Sequence, residues 1–311
     1  MNLSILLAQQ IMVMAIMICL GFLFTKLKLI SFESSKYLSQ LCLYIIVPCM
    51  LINSFQIEFS VEKAKGFLLA FIAAILSHIA LLIFGKIIGK AFHFSGVERA
   101  SFIYTNAGNL IVPVVTYVLG KEYTFYCSAF MMVQIFLMWT HCISLVTEVP
   151  CYDLRKIMIN PCIISTLLGM FLFFMGIKLP DMVGQAVGRI ADCIGPISMI
   201  IVGILIASAD LKRVFLRGKS WILSLFRLLV FPVLIVFILS LSHVTTIMHD
   251  ADKILFVTFL ALAAPSASTV TQMASLHNKN EVLAGSVNIM TVILCIITMP
   301  LVTMVYQYFC M

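Results

Sequence analysis

The sequence predicts an all-α integral membrane protein of ten transmembrane helices in two inverted five-helix repeats, and three observations carry that expectation. Of its 311 residues, 62% are hydrophobic and 11% charged, with a mean hydropathy of +1.13. A soluble domain devotes about a quarter of its residues to charge, so the solvent of this chain is largely lipid. Apolar stretches long enough to cross a bilayer, roughly 20 residues each, recur from end to end. Two of them, in opposite halves of the chain, carry a proline and a run of polar side chains at mid-span.

In order, the apolar segments fall near 4–25, 35–55, 66–90, 98–119, 123–147, 156–177, 182–207, 219–241, 253–275 and 282–307. The connecting loops are too short for an extramembrane domain. The first segment, "MNLSILLAQQIMVMAIMICLGFLF", lacks a basic n-region and a small-residue cleavage site, and reads as a retained helix rather than a signal peptide. Lys and Arg set the orientation. Thirteen of them, from Lys26 and Lys28 through Arg155 and Lys156 to Lys279, fall in one set of alternate loops, and five in the other. The richer side is expected to be cytoplasmic, which places both termini outside the cell membrane. The net charge of +7 is dispersed over short loops, so the expected partner is the bilayer and not nucleic acid. Most of the ten cysteines, among them Cys19, Cys42, Cys127, Cys162 and Cys295, lie in apolar helices as small hydrophobes. With no C-x-x-C pair or Cys/His ligand spacing, neither a metal site nor a cofactor is expected.

Dividing the chain at 1–150 and 151–311 gives each half five crossings, and an odd number requires the second half to be inverted, a transporter architecture. The prolines fit this division. Pro48 in the second helix pairs with Pro196 in the seventh, and Pro113 in the fourth with Pro265 in the ninth, at nearly equal separations. Pro232 and Pro300 have no such partners. Proline removes an N–H and clashes with the carbonyl four residues back, and in lipid the freed carbonyls need partners from protein or water. The fourth helix supplies Thr105, Asn106 and Asn109, the ninth Ser266, Ser268, Thr269, Thr271 and Gln272. These side chains either repair the backbone or line a substrate cavity at mid-depth, and their occurrence in two equivalent positions favours the cavity.

At this point the motifs resemble a family. "LYIIVPCMLINSF" (43–55), "NAGNLIVP" (106–113) followed by "VLGKE" (118–122), "INPCIISTLLGMFLFFMGIKLPDMV" (159–183), "GPISMIIVGILIA" (195–207), "APSASTVTQMA" (264–274) and "TVILCIITMPLV" (291–302) are similar, in order and spacing, to the auxin efflux carrier family. That family includes bacterial malate and malonate permeases and plant auxin exporters. The resemblance implies that helices 4 and 9 cross at their prolines, with Pro113 and Pro265 matching the crossover prolines and Asn106 the family's asparagine. It also implies a scaffold of helices 1, 2, 6 and 7 and a transport domain of helices 3–5 and 8–10 moving by an elevator. Gln134 is a weaker match to a polar residue of the fifth helix. Ile111 stands where a glycine is usual, Asn109 where an apolar residue is common, and Asn288 is an unusual polar residue for the tenth helix. The third helix lacks the Asp/Lys pair of the plant proteins, which argues against auxin.

Ionisable residues within the membrane are candidates by default. His78, central in the third helix, could couple protons or simply bond a backbone carbonyl, the preferred reading; His141 ranks lower. Arg189 could attract an organic anion, but Asp192 on the same helical face is expected to neutralise it. Arg227, near a basic loop, is expected to snorkel to the cytoplasmic surface. Gln134 either binds a carboxylate or joins helices. No H-E-x-x-H, G-x-S-x-G or nucleotide-binding loop is present, so neither an enzyme nor direct ATP-driven transport is expected. The reading is a secondary transporter of small organic anions such as malate, ligated by Asn106, Asn109 and the run Ser266–Thr269 with help from Gln134. Alternatives are a sodium-coupled organic anion symporter of the bile-acid type and a transporter-like membrane sensor. Assembly as a homodimer is left open.

Overall fold

Long apolar runs become helices here because a helix satisfies its own backbone polar groups, which lipid cannot do. The computed structural model describes residues 3–150 and 158–311, and among these every regular element is helical. Arg155 and Lys156 of the expected basic loops, and the first two residues of the expected sixth helix, lie outside the described residues. The elements are α1 (Leu3–Lys26), α2 (Phe32–Ser54), α3 (Val61–Ala91), α4 (Gly96–Ile103), α5 (Ala107–Val118), α6 (Lys121–Thr147) and α7 (Pro161–Phe174). They continue as α8 (Asp181–Ser208), α9 (Leu211–Leu216), α10 (Gly218–Ser242), α11 (Ala251–Ala263), α12 (Ser268–Leu276) and α13 (Glu281–Cys310).

Seven of these helices are long and apolar enough to cross a membrane: α1, α2, α3, α6, α8, α10 and α13. The other three expected crossings are the shorter α7 and two interrupted segments, α4–α5 and α11–α12. Helix starts are set by local side chains. Ser60 caps α3 by accepting from Lys63 N at 3.1 Å, and Ser95 and Glu98 form a reciprocal box at α4. Asn160 and Asn280 cap α7 and α13 through their amide oxygens. Along the middle of α3 the exposed apolar positions include Leu68, Ile72, Leu76, Ile79, Ile83 and Ile87. Their three- and four-residue spacing makes an apolar outer stripe, which is what a helix facing lipid presents.

α1 and α8 approach backbone to backbone. A Cβ added to Gly21 would collide with the carbonyl of Ile200, and one on Gly203 with the Ile18 carbonyl and the Phe22 backbone. Small residues permitting such approach are the usual basis of helix association in membranes. α7 and the first part of α8 pack on the end of α2, whereas α3 packs on α6 and α11, and α10 and α12 pack on α13. Phe55, Phe67, Phe125 and Phe173 close one end of the bundle, with ring centroids 4.7 to 5.7 Å apart.

The prolines do not act as the sequence suggests. Pro48, Pro113 and Pro232 are each preceded by one π-helical turn, Cys42–Ile46, Ala107–Ile111 and Phe226–Val230. The residue four before each proline, whose carbonyl the ring would strike, falls inside that wider turn. A π turn therefore absorbs the proline without ending the helix. For Pro113 the orphaned carbonyl is that of Asn109, and it accepts from Ser198 Oγ of α8 at 3.3 Å. The interruption of the fourth segment lies instead at Tyr104–Asn106, where Tyr104 is extended. Only Pro265 sits within a break, between α11 and α12.

Candidate functional site

The two interruptions satisfy each other. Thr105 and Ser266 face one another as an isolated antiparallel pair. Asn106 N donates to the Pro265 carbonyl at 2.8 Å, and Ala267 N to the Tyr104 carbonyl at 3.0 Å. Thr105, Tyr104, Ala264 and Ser266 are all essentially inaccessible, so an unpaired backbone group here would carry its full desolvation cost.

Each central residue is then held by a side chain from the following long helix. Gln134 of α6 accepts from Thr105 N at 3.0 Å and from Thr105 Oγ1 at 2.9 Å, and its Nε2 donates to the Thr105 carbonyl at 2.8 Å. The partners fix the orientation of the amide, because the oxygen meets two donors and the nitrogen an acceptor. On the other side, Ser266 N donates to Thr291 Oγ1 at 3.1 Å, and Asn288 Nδ2 donates to the Ser266 carbonyl at 2.6 Å, both partners from α13. Asn288 was conspicuous in the sequence; Thr291 was not, because a threonine on an apolar helix gives no pattern that sets it apart.

Beside this crossing lies a cavity of about 90 Å³. Asn106, Asn109, Ser268, Thr269 and Gln272 line it, together with Gln134, Met131, Trp139 and, from α8, Ser198 and Ile201. The side chains of those first five residues make no hydrogen bond within the described residues. Asn106 is only 5% exposed, and the other four are half-buried. The polar residues of the two breaks thus divide into a repair set, Thr105, Gln134, Asn288 and Thr291, and an uncommitted set that faces the cavity. The N-terminal ends of α5 and α12 begin at the same place, and their free N–H groups and dipoles favour an anion.

The remaining predicted residues lie elsewhere. Pro265 and Ser266 belong to the crossing itself and do not line the cavity. Pro113 borders a second space of about 590 Å³ with Gln10, Asn53, Lys121, Asp192 and Gly195. The first cavity takes Ser39, Cys42, Leu43 and Val47 from the middle of α2 and Met131 to Trp139 from the middle of α6. The second takes Met50, Asn53 and Ser54 near the end of α2 and Lys121 and Thr124 at the start of α6, so it lies displaced from the crossing along both helices. His78 is buried against Phe130, and its Nδ1 donates to the Ala74 carbonyl at 2.8 Å. It does not reach the cavity. His141 Nδ1 meets Tyr104 Oη at 2.9 Å, and that hydroxyl donates to the Leu137 carbonyl.

Two expectations are corrected. Arg189 and Asp192 are both exposed, and among the described residues no ion pair joins them; neither lines the crossover cavity. Both lie on the exposed side of an amphipathic stretch, where pairing of exposed charges gains little. Arg227 does not snorkel. It is 0% exposed, with Nη2 donating to the carbonyls of Leu262 at 3.0 Å and Ala264 at 2.9 Å. Those carbonyls end α11, lack intrahelical partners because of the break, and draw the guanidinium inward.

The family comparison decides the class. The sequence pattern of the membrane transport protein family, of the auxin efflux carrier type, matches residues 6–152 and 145–303. The chain belongs to this family. Its members are transporters and not enzymes, and the several apolar helices agree with a multi-pass membrane transporter. A comparison with curated proteins finds no match for the chain.

Proposed function

We propose that this transporter is a secondary carrier of small organic anions, with a carboxylate bound at the crossing of α4–α5 with α11–α12. The observation that carries the reading is the uncommitted set: three amides and two hydroxyls face one cavity at the positive ends of two half-helices, while other residues perform the backbone repair. Asn106 and Asn109 from one half-helix and Ser268, Thr269 and Gln272 from the other supply the donors. Malate is a representative substrate by size and charge. Gln134, also on the cavity wall, holds the floor of the site through Thr105 more than it contacts the ligand.

The arrangement of two inverted five-helix repeats is supported by the paired breaks, each closed by a polar residue from the next long helix. The close α1–α8 contact and the packing of α2 on α7 support a scaffold of the first, second, sixth and seventh segments, past which the rest moves. One space at the crossing and a second displaced from it along α2 and α6 suit alternating access. The loop charges support a cell-membrane location with both termini outside. Uptake of labelled malate and other carboxylates into proteoliposomes, wild type against Asn106→Ala, tests the reading. Loss of uptake in a variant that melts normally supports it; wild-type uptake removes Asn106 from the site.

A further inference from the structure

Arg227 poses the sharpest energetic question in the molecule. Removing an ion from water costs several kcal/mol even after relaxation. A buried guanidinium is ordinarily paired with a carboxylate, yet among the described residues none lies within 4.0 Å of it. Its Nε and Nη1 have no hydrogen-bond partner. Among the described residues, the ionisable groups that act on it electrostatically are His78 of α3 and Cys295 of α13, and neither is a carboxylate. Among the described residues, the Leu262 and Ala264 carbonyls are its hydrogen-bond partners.

Capping alone does not explain a charge at this position. The two central residues of the crossing are both held by neutral groups, Thr105 by the Gln134 amide and Ser266 by the Asn288 amide. A neutral amide could have done the same after α11 at a much smaller desolvation cost. What a guanidinium adds is the positive charge. In carriers built on broken helices, unwound carbonyls and the C-terminal ends of half-helices are where coupling cations sit, and Leu262 and Ala264 supply such carbonyls, within four residues of Ser266.

We propose that Arg227 is a tethered counter-cation. Its guanidinium fills the carbonyl-lined end of α11 in place of a dissolved alkali cation, and it provides the fixed positive charge that balances the anion bound at the crossing. Transport by this protein consequently requires no sodium. The inference rests on the anion-carrier reading for the second of these roles only; occupancy of the carbonyl end by Arg227 stands without it.

The test melts the purified protein in lipid nanodiscs in sodium, potassium and choline chloride at constant ionic strength, beside Arg227→Lys and Arg227→Met. Wild type and Arg227→Lys melt at the same temperature in all three salts. Arg227→Met keeps the volume without the charge. It loses malate uptake about tenfold or more and gains stabilisation from sodium or methylguanidinium at concentrations that leave the wild type unmoved. Sodium-specific stabilisation of the wild type would overturn the proposal, as would full uptake by Arg227→Met in choline. If the Met variant does not accumulate, the wild-type melts still decide, since they need neither variant nor substrate. A failure of malate uptake in every form, with salt-independent melting, would count against the substrate and not against the tethered cation.

Discussion

Replacing Gln134 with leucine removes one amide and strips three groups of Thr105 of their partners: N–H, C=O and hydroxyl. The hydroxyl can rotate toward a nearby carbonyl, but the backbone groups are fixed by the crossing. Each buried group left unpaired costs about 1–3 kcal/mol, so two cost about 2–6 kcal/mol. Water entering from the neighbouring cavity would bring the loss toward the lower end, about 2 kcal/mol. On the scaling of globular domains, for a chain of 311 residues, that is a drop in melting temperature of about 3 °C. Thr105→Val, which removes only the hydroxyl, is the control and should cost no more than about 1.5 kcal/mol. Thermal melts of the purified proteins, with and without carboxylate, check both values. If Gln134→Leu melted with the wild type and lost only its response to carboxylate, the residue would be a ligand and the clamp assignment would be wrong.

Asn288→Leu should produce a matching lesion on the other side of the crossing, because the Ser266 carbonyl loses its donor at 2.6 Å; the same melts read it, at about 1–3 kcal/mol. Ser268→Ala removes a hydroxyl that makes no internal hydrogen bond, so uptake should fall while stability, read from the melts, stays within about 0.5 kcal/mol of wild type. Gly203→Leu drives a side chain into the α1 backbone and should abolish recovery of monodisperse protein in size-exclusion chromatography, whereas Gly218→Ala, where an added Cβ meets nothing, should not. Asp250, outside the long helices, is held below the ordinary carboxylate range chiefly by the hydrogen bond from Lys253. A depressed acid stabilises the fold above its unfolded value and ceases to do so as pH falls through its folded one. Asp250→Asn should therefore remove a small acid-side slope below about pH 4, visible in melts taken across that range.

Much of the fold is legible in the sequence because lipid imposes a simple rule, long apolar runs with polar loops. The seven long helices appear where hydropathy puts them, α3 starting five residues before its expected start because Ser60 caps it there, and α13 running three residues past its expected end. The breaks were legible as polar runs but not as positions. Pro113 drew attention to the wrong place, since a π turn absorbs it, while the actual break at Tyr104–Asn106 contains no proline and exists because Thr105 has partners on α6 and at Ser266. Arg227 was misread for a related reason. Its nearness to a basic loop suggested the surface, and nothing local announced that carbonyls 35 and 37 residues onward would be orphaned and waiting for a donor. The division of polar residues into repairing and uncommitted sets depends on contacts distant in the chain, and single-sequence patterns do not contain them.

The central claim is that the uncommitted side chains at the crossing form a carboxylate site. The most direct measurement is the melting temperature of the purified protein titrated with a panel of mono- and dicarboxylates, wild type beside the Asn106→Ala, Ser268→Ala double variant. Stabilisation grows with ligand concentration relative to affinity. The account predicts that at least one carboxylate raises the wild-type melt in a saturable way and leaves the double variant unmoved. Equal stabilisation of both proteins by the same acid would place the site elsewhere and contradict it.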